Sequence, residues 1–135
     1  MSIPVTLTYA SLFAIFALIL SFRAGGLRGK TGISLLYGDP ANMDLAERVR
    51  VHQNFLEYVP LILIMFAALE AQGVSRMFLY VTGDLLVIAR IAHAIGLKHD
   101  NMQHVGRLIG AGGTALITLV TAGYGLWLGA RALLG

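Results

Sequence analysis

Six polar side chains hold most of the chemistry this chain can perform: Arg50, Asn54 and Glu57, then Arg90 and His93, then Arg107. Arg50, Asn54 and Glu57 follow the spacing i, i+4, i+7, which puts them on one face of a helix. An arginine offers a fork of donors that matches a carboxylate, and a glutamate accepts from an ammonium group. Three arginines beside one carboxylate suit a partner that is both anionic and zwitterionic. The competing reading is internal. Glu57 would then pair with Arg50 or Arg90 in an ion network that keeps helices in register. Spacing alone leaves both open.

These groups sit in a chain with little room for charge. Of its 135 residues 57% are hydrophobic and only 13% charged, and the mean hydropathy is +0.76. That is far more apolar than an ordinary soluble domain, and the length suggests one domain, residues 1–135. There is no cysteine, so no disulfide forms, and any thiol chemistry needs a thiol brought by a ligand. No Lys/Arg run resembles a nucleic-acid patch, so nucleic acid is not an expected partner.

A bilayer core of about 30 Å needs roughly 20 helical residues. Residues 3–22 carry no charge and read as the first span. The run is too long for the core of a cleaved signal peptide, and no basic residue precedes it. The uncharged run between Glu57 and Glu70 is too short to cross, so the second span must reach back past Arg50. This places Arg50, Asn54 and Glu57 inside the span or at its edge, where such groups face a bundle interior or a wet cavity. The expected fold is an all-α, integral membrane four-helix bundle with spans near residues 3–22, 47–71, 77–97 and 106–133. The first connection reads as a glycine-rich turn, with Asp39-Pro40 or Asp44 capping the second helix. Gly106 with Gly110, and Gly125 with Gly129, fit the spacing that lets membrane helices approach closely. Pro60 either kinks the second span or is merely tolerated there. Asp84 lies deep in the third span and needs a partner on another helix, or a proton; its role stays open.

Arg23, Arg28, Lys30, Arg48, Arg50, Lys98 and Arg107 flank or lie in the first and third connections, whereas Arg76 and Arg131 lie at the other ends. The positive-inside rule puts the basic connections in the cytoplasm and both termini on the opposite side. Arg90 and His93 then lie within about 11 Å of the helix end at Leu97. Groups from three spans thus fall in one layer near the cytoplasmic face.

At these residues a resemblance emerges. "RVHQNFLEYVP", Arg50 to Pro60, resembles the signature of the MAPEG family, the membrane-associated proteins in eicosanoid and glutathione metabolism, through Arg50, Asn54, Glu57, Tyr58 and Pro60. "ARIAHAIG", Ala89 to Gly96, is similar to the family's third-helix motif in its bacterial form. The resemblance covers nearly the whole chain. It implies a homotrimer of four-helix subunits in the bacterial inner membrane, binding glutathione as co-substrate between neighbouring subunits near the cytoplasmic face. Arg50, Asn54, Glu57 and Tyr58 match family positions that contact glutathione, and Arg90 matches a third-helix arginine. Arg107 matches the arginine that stabilises the thiolate, although the loop before it differs in length. His93 and Leu97 stand where the eicosanoid-making members have tyrosines, which favours the less specialised bacterial branch.

The activity implied is a glutathione transferase or peroxidase. A cation beside the thiol lowers its pKa, and the thiolate attacks a lipophilic electrophile or a lipid hydroperoxide taken from the membrane lipid. Each residue has a plainer reading too. Arg107 would meet a lipid phosphate, His93 would be a hydrogen-bonded core histidine rather than a general acid or ligand contact, and Tyr58 would belong to an interfacial aromatic belt rather than stack on a ligand. A metal is not expected, because His93, His99 and His104 follow no standard ligand spacing. The alternatives to an enzyme are a small membrane transporter or a non-catalytic binder of glutathione or lipid.

Overall fold

The computed structural model describes residues 2–135, and within them the chain forms four helices: α1 (Pro4–Thr31), α2 (Met43–Ala71), α3 (Arg76–Gly96) and α4 (Val105–Leu134). Each is long and apolar enough to cross a membrane. Large apolar side chains such as Leu7, Ile15, Leu61, Ile64, Leu116 and Leu126 point outward. A bundle with an apolar exterior and its backbone bonded within helices is what hydrocarbon demands.

α1 starts with a proline in its first turn, where the missing N–H is no loss. It does not stop at residue 22 but runs through Gly25, Gly26 and Gly29 to Thr31. The turn-like reading of this stretch is therefore corrected. Side chains fix the extension: Arg48 donates to the Arg23 carbonyl at 3.0 Å, and Arg28 donates to the carbonyls of Ile33 and Leu36 at 3.3 and 3.1 Å. Gly32, at φ 71°, closes the helix in the left-handed conformation that favours glycine.

The cap of α2 is Asn42, whose side chain accepts from the Leu45 amide at 2.9 Å. Neither Asp39 nor Asp44 fills that role, because Asn42 alone stands one residue before the helix and Asp44 already lies in its first turn. α2 continues through Pro60 to Ala71. At its far end Glu70 is buried and accepts from the amides of Val5 and Thr6, at 2.9 and 2.7 Å, so it satisfies the first turn of α1.

α1 packs mainly on α2, and α3 mainly on α4. Between the first pair, Phe55 meets Phe13 at 5.9 Å and Phe16 at 5.5 Å between ring centroids. The second pair is closer. A Cβ on Gly106 would strike the Ala92 carbonyl oxygen, and one on Gly110 would strike the backbone of His93. The Gly106–Gly110 spacing thus marks a real close approach. Gly125 faces Met65 on α2 instead, and Gly129 faces open space.

Candidate functional site

The basic end of the bundle gathers the C-terminus of α1, the N-terminus of α2, the C-terminus of α3 and the N-terminus of α4. There a cavity of about 450 Å³ opens, lined by Arg50 and Asn54 from α2, His93 from α3, Lys98 and His99 from the third connection and Arg107 from α4. Its size falls in the range of small-molecule sites, roughly 300–1,000 Å³. A second cavity, of about 90 Å³, is lined by Asn54, Tyr58, Arg90 and Thr114. Asn54 lines both. Of the seven residues singled out from sequence, Glu57 alone lines neither.

Glu57 instead receives Arg50 at 2.7 Å, with both side chains about half exposed. The internal pairing left open by the sequence is therefore formed with Arg50. Arg90 goes elsewhere. It is 1% exposed, and it donates to Asn54 Oδ1 at 3.0 Å and to Thr114 Oγ1 at 3.3 Å. It also stands 3.4 Å from His93 Nδ1, and 5.7 Å from the centroid of the Phe55 ring. Its Nε has no partner among the described residues, and no carboxylate pairs with it there. A guanidinium so enclosed and so poorly compensated is costly. An anionic ligand group in the adjoining cavity would offset that cost.

Arg107 reaches the larger cavity because α4 starts hard against the end of α3. His104 caps α4, its Nδ1 accepting from the Gly106 amide at 3.1 Å. Gly96 and Gly106 allow the two backbones to meet. Arg107 forms no ion pair among the described residues. Lys98 does, at 3.4 Å from Glu47. The same carboxylate accepts from the His99 amide at 2.8 Å and lies 2.7 Å from His99 Nδ1. Glu47 so ties the third connection to α2 at the edge of the cavity. Glu47, His99 and Asp100 each bring one donor atom within 4.8 Å of the others. The first two are held by this ion-pair cluster. The trio His93, His99 and His104 is split between the core, Glu47 and the α4 cap.

Glu47, Lys98, His99 and Thr114 were not among the ligand-site residues expected from sequence. Thr114 lies one helical turn beyond Gly110, and that spacing was the available signal. Asp84 stands apart from both cavities. Its partner is on another helix, as expected: Tyr9 of α1 donates to Asp84 Oδ1 at 2.6 Å.

The sequence model described as "MAPEG family" matches residues 6–127. Two relatives, both named "Inner membrane protein YecN", from Escherichia coli strains K12 and O6:H1, are 28% identical over 123 residues, covering 91% of this chain and 91% of theirs. No solved structure matches.

Proposed function

Since the chain belongs to the MAPEG family, which contains glutathione-dependent enzymes, we propose that it is a membrane enzyme using glutathione against lipophilic electrophiles or lipid hydroperoxides. One observation carries this reading. Arg50, Asn54, His93 and Arg107, from three helices, converge on a single cavity large enough for a small peptide. Glutathione at neutral pH has two carboxylates, an ammonium group and a thiol. Arg50 and Arg90 suit the carboxylates, bidentately or through one nitrogen. Glu57 suits the ammonium once a neighbouring subunit completes the site. We place the protein in a bacterial inner membrane as a homotrimer, with the basic end in the cytoplasm.

Arg107 then faces the thiol. A cation there favours the thiolate, and each pKa unit of that preference corresponds to about 1.4 kcal/mol. The proton leaves to solvent through the open mouth. With an electrophilic carbon, a sulfur–carbon bond forms and the leaving group departs with its electron pair. With a hydroperoxide, sulfur attacks the terminal oxygen and the O–O bond breaks. The alkoxide takes a proton from solvent and leaves as the alcohol, and a second glutathione converts the sulfenic acid to the disulfide and water. Tyr58, 43% exposed, borders the smaller cavity on the flank from which an apolar substrate would enter.

Turnover of an aryl halide and of a lipid hydroperoxide, each with and without glutathione, tests the proposal. Glutathione-dependent product in either assay supports it. Absence of product in both, from protein shown to be folded, contradicts it.

A further inference from the structure

Asp84 presents a second problem of charge. It lies about 12 Å along α3 from Arg76, at 1.5 Å per residue, and so sits near the middle of a helix just long enough to span hydrocarbon. It is exposed on the outer face of the bundle. Ionisable groups at such depth normally face the bundle interior or a partner, and they mark function by default. The one hydrogen bond of its side chain among the described residues is the donation from Tyr9 to Oδ1, and the same hydroxyl, with its single proton, lies 3.0 Å from the Tyr80 carbonyl oxygen. The Tyr9 ring is held in place against Gly83, where a Cβ would collide with it. No donor to Asp84 Oδ2 is found among the described residues.

The surroundings suit one kind of ligand. Tyr80, one turn from Asp84, is 46% exposed, and its ring stands 6.4 Å from that of Tyr9 at 60°. In the other direction, one turn beyond Tyr9 and Asp84, a groove of about 130 Å³ opens between α1 and α3. Leu12, Ile15, Phe16, Ile19, Val87 and Ile91 line it, all of them apolar. A carboxylate next to aromatic rings is the arrangement that binds organic ammonium groups, through charge and through the ring faces. An apolar groove leading away from it accepts a hydrocarbon tail.

We propose that Asp84, Tyr9, Tyr80 and the α1–α3 groove form a second site, separate from the basic cavities, that binds an amphiphilic organic cation from the bilayer. The ammonium group sits on Asp84 beside the Tyr80 ring, and the tail lies along α1 and α3. Charge complementarity selects this occupant. An uncharged lipid chain would leave the carboxylate uncompensated, and an anion would be repelled by it. The site does not depend on the glutathione reading.

The test is calorimetric titration of the full chain in a neutral maltoside detergent. The probe is dodecyltrimethylammonium below its micelle concentration, and dodecanol is its uncharged match. The wild type is expected to bind the cation saturably and dodecanol at least tenfold more weakly. Asp84→Asn should lose at least tenfold in cation affinity and Tyr80→Leu several-fold, with the oligomeric state unchanged. Equal cation affinity in Asp84→Asn and wild type means partition into the groove only, and it overturns the proposal. Loss of binding together with dissociation of the assembly means that a second copy covers Asp84, and it overturns the proposal too. Should Asp84→Asn fail to fold, equal affinity of the wild type for both probes, or unchanged affinity in Tyr80→Leu, overturns it.

Discussion

Arg90 is almost fully enclosed, yet it touches an amide oxygen, a hydroxyl, an imidazole and a ring, none of which carries negative charge. Arg107, in the larger cavity, has no ion pair among the described residues. Arg50 has Glu57, but about half of each side chain in that pair stays exposed. All three guanidiniums can therefore turn to an incoming anion. Arg50→Ala should weaken glutathione binding by roughly tenfold or more, the scale of a lost charge-assisted hydrogen bond of about 1.5–3 kcal/mol. Arg131→Ala should leave it unchanged, because Arg131 stacks on Trp127 at 5.6 Å at the far end of α4. Calorimetric titration measures both, and equal losses would contradict the assignment. The residue types at the site were legible in the sequence because charge in an apolar chain has few places to go. The pairing of Glu57 was not, since Arg50 and Arg90 are both within reach on spacing. Glu47 was hidden for another reason: its partners, Lys98 and His99, come from a connection whose path only the folded chain defines.

Helix α4 places Arg107 by backbone contact with α3, and this is where small residues matter. Gly110 sits against the backbone of His93, whereas a Cβ on Gly112, two residues on, would meet none of the described neighbouring residues within 4 Å. Gly110→Ala should destabilise the bundle by about 1–3 kcal/mol, the range for overpacking, and should disturb His93. Gly112→Ala should do neither, and even slightly favour the helix. Thermal unfolding in detergent compares the two directly, and equal melting temperatures would refute the close approach. The Gly106–Gly110 spacing announced this contact. Gly125 and Gly129 share the spacing, but one meets a Met65 side chain and the other nothing, so the spacing marks candidates and the neighbouring helix decides. The continuation of α1 to Thr31 was missed because three glycines argue locally for a turn, while the bonds from Arg28 and Arg48 that hold the helix are long-range or lie beyond its end. Glu70 was read only as the limit of an apolar run. Its capping of α1 depends on α1 and α2 lying side by side.

Over the whole molecule, four hydrophobic runs and the polar face of the second were enough to give the helix count and the basic end. The number of copies is a matter for the exterior. In the proposed trimer a neighbouring subunit would cover Glu57, which is half exposed in the single chain. In mild detergent the protein should behave as a trimer that binds glutathione, and monomers binding it with equal affinity would refute the shared site. The proposed chemistry turns on Arg107 and the sulfur proton. The ultraviolet thiolate absorbance of glutathione bound to the wild type and to Arg107→Leu tests it most directly. A thiolate signal in the wild type that disappears in Arg107→Leu, with assembly intact and glutathione still bound, is the predicted result. An undiminished signal in the variant, or none in the wild type at saturating glutathione, would contradict the account.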